Sequence, residues 1–321
     1  MSDATAKLEE LGIQLDSQLP YDVDRMFPKL KGWGVKGAIK QKHKVLQKVE
    51  PLLKRMVLPD EKILYVAKGI QVKFSEQYFL GIWANLINQT VFVLTNLRLI
   101  MLHVDGSGNP HNMYWVIYYS QITTFKGSWT GQVKLKLEDG LKLVFSGFKG
   151  DDRKQMPTIF QECVEVYRQQ GFNPQVTQSR ENLCPNCLAV VPKGQYQCGE
   201  CGQNFYTPSS LAGRSLIFPS WGDFMMGHTV LACVELLGYV ASWFFLVAFA
   251  MAGFREGGIE GLVATCIFLF FIAIEHVIDS ALTFFIAKKG LTPKGKPAQV
   301  APTEAPVLTG DASNPYNPPP V

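Results

Sequence analysis

TVFVLTNLRLIMLHVDGSG, residues 90–108, decides the fold. Two short runs rich in β-branched and large apolar residues, 90–96 and 97–108, meet at Thr95-Asn96, and the second ends in a glycine-containing turn. That composition and punctuation predict two consecutive strands. Upstream, KILYVAKGIQVKF (62–74) reads as a strand, and downstream MYWVIYYSQI (113–122) and TTFKGSWTG (123–131) continue the series. QVKLKLEDGLKLVFSGF (132–148) alternates on both sides of Asp139-Gly140 and predicts a hairpin. A helix follows from about Arg153 to Gln170, with Ile159, Phe160, Cys163, Val166 and Tyr167 as its apolar stripe and Pro157 in its first turns.

Seven short strands closed by one helix, together with the 90–108 run, resemble the bacterial pleckstrin-homology-like and GRAM-like domains over about residues 60–170. The resemblance implies a small, mainly β half-open barrel with a C-terminal helix that binds lipid or protein and is not an enzyme. One segment departs from the phosphoinositide-binding pattern. SEQYFLGIWANLINQ (75–89), where clustered Lys/Arg would grip phosphates, contains neither. A multiply phosphorylated headgroup needs charge-assisted donors. The segment is instead apolar and aromatic, with Tyr78, Phe79 and Trp83. It reads either as a short helix plugging the mouth of the barrel or as a wedge for a membrane or partner.

Before the strands, LPYDVDRMFPKLKGWG (19–34) reads as an irregular arm, and Val35–Val57 as a helix. Ile39, Leu46, Val49, Leu53 and Met56 make its apolar stripe, and Pro51 interrupts it. Lys36, Lys40, Lys44 and Lys48 recur every fourth residue on another face. The formal net charge is only +4, but from Lys29 to Arg55 nine Lys/Arg face one acid, Glu50. This lysine row is the candidate contact for anionic lipid headgroups. Nucleic acid is disfavoured, because no interleaved aromatics or groove-reading motif accompany the charge.

CPNCLAVVPKGQYQCGEC (184–201) places Cys184, Cys187, Cys198 and Cys201 in two Cys-x-x-Cys pairs ten residues apart. Two such turns can complete a four-thiolate tetrahedral site, which suits structural Zn²⁺ and leaves no open position for catalysis. The stretch resembles the smallest zinc ribbons. Gly199 and Gly202 supply permissive backbone. A redox dithiol is the alternative, although such motifs usually come as a single pair. The polar N-terminus MSDATAKLEEL lacks the pattern of a cleavable signal, so the thiols are expected to face a reducing cytoplasm.

Thr229–Phe254 carries one charge, Glu235, and Gly261–Ala287 carries Glu275, His276 and Asp279. Both runs exceed the roughly 20 residues that span a bilayer. REGGIE (255–260) makes them an antiparallel pair. Lys288, Lys289, Lys294 and Lys296 after the second run and Arg214 before the first predict a multi-pass protein of the cell (inner) membrane with both termini cytoplasmic. Trp221, Phe224, Met225 and Met226 would lie at the inner interface. Glu235 and Asp279 come to similar depth and could face each other. The intramembrane cluster Glu235, Glu275, His276 and Asp279 then reads as hydrogen-bonding glue within the pair or to a second copy, as a partner face, or as a transport path. Residues 289–321, with prolines throughout, read as a disordered tail.

The resulting plan is an arm and basic amphipathic helix (1–58), a pleckstrin-homology-like domain (59–172), a zinc ribbon (181–207), a transmembrane hairpin (228–288) and the tail. No nucleophile–base–acid set or phosphate loop appears, and His103 and His111 read as surface histidines. The chain therefore reads as a membrane-anchored scaffold or tether binding protein or an anionic lipid surface. The alternative is a small transport or channel component using the intramembrane ionisable groups.

Overall fold

The computed structural model describes residues 2–170, 173–256 and 259–295, in two compact units, Met1–Gln203 and Asn204–Gly295. The first begins with helices α1 (Asp3–Glu10), α2 (Val23–Met26) and α3 (Val35–Met56). Strand β1 (Ile63–Gln71) leads into two short helices, α4 (Phe74–Leu80) and α5 (Trp83–Ile87). Strands β2 (Gln89–Thr95), β3 (Arg98–Val104), β4 (Pro110–Tyr118), β5 (Ile122–Gly127), β6 (Val133–Leu137) and β7 (Lys142–Ser146) precede α6 (Asp152–Gln170). Two further strands, β8 (Glu181–Leu183) and β9 (Val190–Val191), complete one antiparallel sheet in the order β5-β6-β7-β1-β2-β3-β4-β8-β9.

The decisive run is apolar at nearly every position because its sheet is covered on both faces. In β2, Val91 and Val93 enter one core while Phe92 and Leu94 enter another. In β3, Ile100, Leu102 and Val104 join the first core, and Leu99 and Met101 the second. The helices α1–α3 roof the first core, and β5–β7 with α6 close the second. The expected stripe of α3 is wholly buried. The stripe of α6 is buried except at Val166, which is 46% exposed.

The arm at 19–34 is not a loose leader. Tyr21 bridges Ile63 of β1 and its hydroxyl donates to Glu50 at 2.9 Å, and Leu19, Met26 and Phe27 are buried in the first core. The predicted hairpin forms, with Gly140 at φ 83° in its turn.

The β2–β3 turn holds a fully buried ion pair. Arg98 donates through Nε to Glu61 Oε1 at 2.9 Å and through Nη2 to Oε2 at 3.0 Å, and Nη2 also reaches the Met56 carbonyl at 2.7 Å. Thr95 Oγ1 donates to Glu61 Oε1 at 2.7 Å, and the Leu58 N–H donates to Oε2 at 2.9 Å. The end of α3, the loop after it and the β2–β3 turn are thereby fastened at one point.

The second unit pairs β10 (Phe205–Tyr206) with β11 (Thr292–Pro293). Helices α7 (Pro208–Ile217), α8 (Trp221–Met226), α9 (Thr229–Glu256) and α10 (Ile259–Ala287) lie between. Within α9 and α10, Thr229–Gly253 and Gly261–Ala287 are long and apolar enough to cross a membrane. The two helices are neighbours: the Phe249 and Phe268 rings stack at 5.1 Å, and a Cβ on Gly253 would strike the backbone of Gly261. Lys289–Gly295, read as the start of the tail, instead carries β11. The proline-rich remainder, 296–321, and the middle of the 255–260 turn lie outside the described residues.

Breaking a buried pair leaves an uncompensated charge, whereas replacing both partners by apolar groups does not. Arg98→Met should therefore cost about 3–5 kcal/mol in urea unfolding of the 1–203 unit. The double variant Arg98→Met/Glu61→Leu should recover most of that loss.

Candidate functional site

The four cysteines converge. Cys184 and Cys201 Sγ lie 3.6 Å apart, Cys187 and Cys198 Sγ 3.5 Å apart, and all four sulfurs fall within 4.8 Å of one another. A disulfide would need about 2.05 Å. Sulfurs around one tetrahedral ion with 2.3 Å bonds stand about 3.8 Å apart. The spacing thus fits four ligands of a single metal ion.

Each pair builds the same knuckle. The Leu188 N–H donates to the Cys184 carbonyl at 2.9 Å, and the Gly202 N–H to the Cys198 carbonyl at 3.0 Å. The Cys184 N–H donates to Ala189 O at 2.8 Å, and the Cys198 N–H to Gln203 O at 2.8 Å. The residue after each second cysteine has positive φ: Leu188 at 64° and Gly202 at 71°. Of the two glycines expected to ease the turns, Gly202 does so, and Leu188 takes the equivalent place in the first knuckle.

Burial pushes the Cys184 thiol up to about 11 and Cys187 further. Burial also opposes ionisation of Cys201, but the Gln203 N–H, the Cys187 and Cys184 thiols and the Asn186 side chain bring it down to about 7. Only the thiolate ligates metal, and the groups around Cys201 favour its thiolate.

The knuckles are built onto the large sheet. Strand β8, which leads into Cys184, pairs with β4 at Tyr114–Leu183, and Arg55 Nη2 at the end of α3 donates to the Asn186 carbonyl at 2.6 Å.

In α3, Lys36, Lys40 and Lys44 are exposed, while Lys48 is half-buried and donates to the Ser107 carbonyl. The fourth lysine of the row is thus spent on the β3–β4 turn. The residue missed by sequence reasoning is Lys42, whose side chain is 16% exposed and lies 3.8 Å from Asp152. It stands between Ile39 and Leu46 on the apolar stripe, at the i+3 step where a core residue is expected, and that position was the signal.

Of the aromatics at 74–89, Trp83 is half-buried and the others turn outward. Phe74 is 84% exposed and Tyr78 74%, and Phe79, Ile82 and Leu86 are exposed beside them. Glu76 faces inward, almost fully buried, and accepts a hydrogen bond from Asn88 Nδ2 at 2.8 Å. Helix α4 therefore anchors itself with a carboxylate and shows its rings to the outside. His103 is not a surface histidine: it is buried, with Nε2 at 2.6 Å from the Ile87 carbonyl.

In the second unit, Glu235 and Asp279 do meet, and Asp223 of α8 joins them, with carboxylate oxygens of all three within 4.8 Å of one another. Asp279 Oδ2 accepts the Ser220 N–H at 2.9 Å, and Asp223 Oδ1 lies 3.0 Å from His228 Nδ1. Glu275 and His276 belong elsewhere: Glu275 lies beside Ser242, and His276 Nδ1 is 2.8 Å from the Leu216 carbonyl with its ring edge on Tyr239. Asp223 was invisible to helix periodicity because it lies outside both long helices. Met226, expected at an interface, is buried, while Trp221, Phe224 and Met225 are exposed.

No known family model matches the chain, and no curated protein matches it. Among solved structures, a crystal structure of the C-terminal domain of an unknown protein from Leishmania infantum aligns with 40% of this chain and 96% of its own. It is 12% identical with a TM-score of 0.25, a likeness that carries no argument.

Purified protein should hold one metal ion per chain with an all-sulfur X-ray absorption spectrum. Gly202→Ala meets no atom within 4 Å, so its cost is backbone strain alone, about 1–2 kcal/mol of metal-loaded stability. Asp279→Asn keeps an acceptor for Ser220 and removes one of three crowded carboxylates, so the thermal midpoint should hold or rise. Asp279→Leu orphans the buried N–H and should cost about 1–3 kcal/mol.

Proposed function

We propose that the protein is a membrane-anchored scaffold or tether whose first unit engages an anionic lipid surface. The observation that carries this reading is the inverted helix α4, with Glu76 buried and Phe74, Tyr78 and Phe79 exposed. A contiguous apolar patch on a soluble domain marks an interaction surface. Rings of this kind suit the bilayer interface. Basic groups are close by: Lys68 Nζ donates to the Gly106 carbonyl at 3.1 Å and Lys48 to that of Ser107, on a turn that packs near Leu86. The exposed Lys36, Lys40 and Lys44 add attraction worth about 1 kcal/mol each near an anionic surface.

The strand order β5-β6-β7-β1-β2-β3-β4 with α6 against the second core supports a pleckstrin-homology-like half-open barrel over about residues 60–170. Zn²⁺ is the ion that four thiolates without an open position suit best. Its role is structural: it staples the knuckles onto the sheet edge at β8. The two apolar helices anchor the chain in the cell membrane, and lysines flanking them favour cytoplasmic termini.

Flotation of the zinc-loaded 1–203 unit with phosphatidylcholine vesicles, with and without phosphatidylglycerol, tests the reading. Phe74→Ser/Tyr78→Ser/Phe79→Ser should abolish flotation while leaving the unfolding midpoint unchanged. Lys36→Gln/Lys40→Gln/Lys44→Gln should weaken binding to anionic vesicles at low salt by about two orders of magnitude. A folded wild-type unit that never floats would overturn the lipid reading and leave the patch as a protein-docking face.

A further inference from the structure

Helix α3, β1 and the β7–α6 loop border an open-mouthed cavity of about 300 Å³. That is the lower end of the range for small-molecule sites, roughly 300–1,000 Å³. Met26, Phe27, Ile39, Val45 and Ile70 supply apolar wall. Lys29, Lys42 and Lys149 line it together with two acids, Asp151 and Asp152, an excess of one positive charge, while the ammonium of Lys68, another lining residue, is engaged by the Gly106 carbonyl.

The acids are already engaged. Asp151 pairs with Lys29 at 3.8 Å. Asp152 accepts the Tyr65 hydroxyl at 2.7 Å and the Lys149 N–H at 3.3 Å. Lys42, the residue on the apolar stripe of α3, sits among these groups. Its ammonium donates to the Met26 carbonyl at 3.0 Å, lies 3.6 Å above the Tyr65 ring, and stands 3.8 Å from Asp152, beyond hydrogen-bond length. An ammonium has three N–H donors; the Met26 carbonyl takes one and the face of the Tyr65 ring another, and Asp152 pairs with the charge without a hydrogen bond, so one donor remains. Among the described residues Lys149 makes no ion pair, and with Lys29 it is exposed at the rim.

We propose that this cavity is a binding site for a singly headed anionic amphiphile, one phosphate or carboxylate on a short hydrocarbon body. The head would take the remaining donor of Lys42 and the charge of Lys149, and the body would cover the apolar wall. Burial lowers the Lys42 ammonium to about 8, against the opposing pull of Asp152. A cation held at that cost gains most from an incoming anion. The assignment stands apart from the membrane-surface reading, since none of the exposed aromatics of α4 or the outward lysines of α3 line the cavity.

Full-length protein in phosphatidylcholine nanodiscs, titrated with hexyl phosphate and followed by phosphorus NMR line broadening, provides the test. Saturable binding is expected, with inorganic phosphate, and hexanol read by competition against hexyl phosphate, each at least about tenfold weaker. Lys42→Met should weaken hexyl phosphate by about tenfold to a hundredfold. Ala38→Phe, which fills the cavity without touching a charge, should block it, and Lys134→Gln, on exposed surface away from the cavity, should leave it unchanged. If Lys42→Met does not fold, Ala38→Phe decides. Nanodiscs containing phosphatidic acid separate the sources of the head: slower amine labelling of Lys42 with no added ligand means a bilayer lipid enters, and unchanged labelling alongside hexyl phosphate binding means a free amphiphile. No binding to the wild type at millimolar concentration, equal binding by Ala38→Phe, or inorganic phosphate binding as tightly as hexyl phosphate would overturn the assignment.

Discussion

Strands β1–β4 present apolar side chains on both faces, and neither face can be left to water. Burial at roughly 25 cal/mol per Å² rewards covering each of them. The chain does so with α1–α3 on one side and with β5–β7 and α6 on the other. Much of the first unit follows from that double roof. Helix α3 must lie flat on the sheet with Ile39, Leu46, Val49, Leu53 and Met56 inward, so Lys36, Lys40 and Lys44 are left outward. The buried Arg98–Glu61 pair fixes where the roof ends, because Arg98 also holds the last carbonyl of α3. A buried pair of this kind is weak evidence of net stability, because the cost of desolvating both charges offsets their attraction.

The cysteine knuckles gain from the same sheet. A four-cysteine segment of this size has too little core to fold alone, and here it grows from the edge of β4 through β8. Arg55, at the end of the roofing helix, reaches the first knuckle. Knuckles, roof and sheet edge thus support one another, and the four sulfurs are held where one ion could join them.

Two features run against ordinary burial rules and carry the functional argument. Helix α4 buries a carboxylate and exposes its rings, and α3 buries Lys42 in a row of apolar residues. Each costs stability that a simpler sequence would keep, and such departures concentrate at functional sites. The first shapes an outward surface, the second an inward cavity.

The strand series at 62–148, the helices at 35–57 and 153–170, the two long apolar helices and the four cysteines are all legible along the chain. Each is a local pattern: period two, period 3.6, unbroken apolar length, or ligand spacing. The tertiary structure alone decided which way ambiguous side chains turn and which distant groups meet. The aromatics at 74–82 face outward because Glu76 and Asn88 claim the inside, and no periodicity reports that competition. The arm at 19–34 has no regular pattern, yet Tyr21 pairs with Ile63, forty-two residues on. Asp223, Glu235 and Asp279 gather from three helices, and His276, adjacent to Glu275 in the chain, turns away to Leu216. Local patterns are set by neighbours along the chain, whereas these contacts exist only after long loops have closed, and the energy that selects them comes from burial.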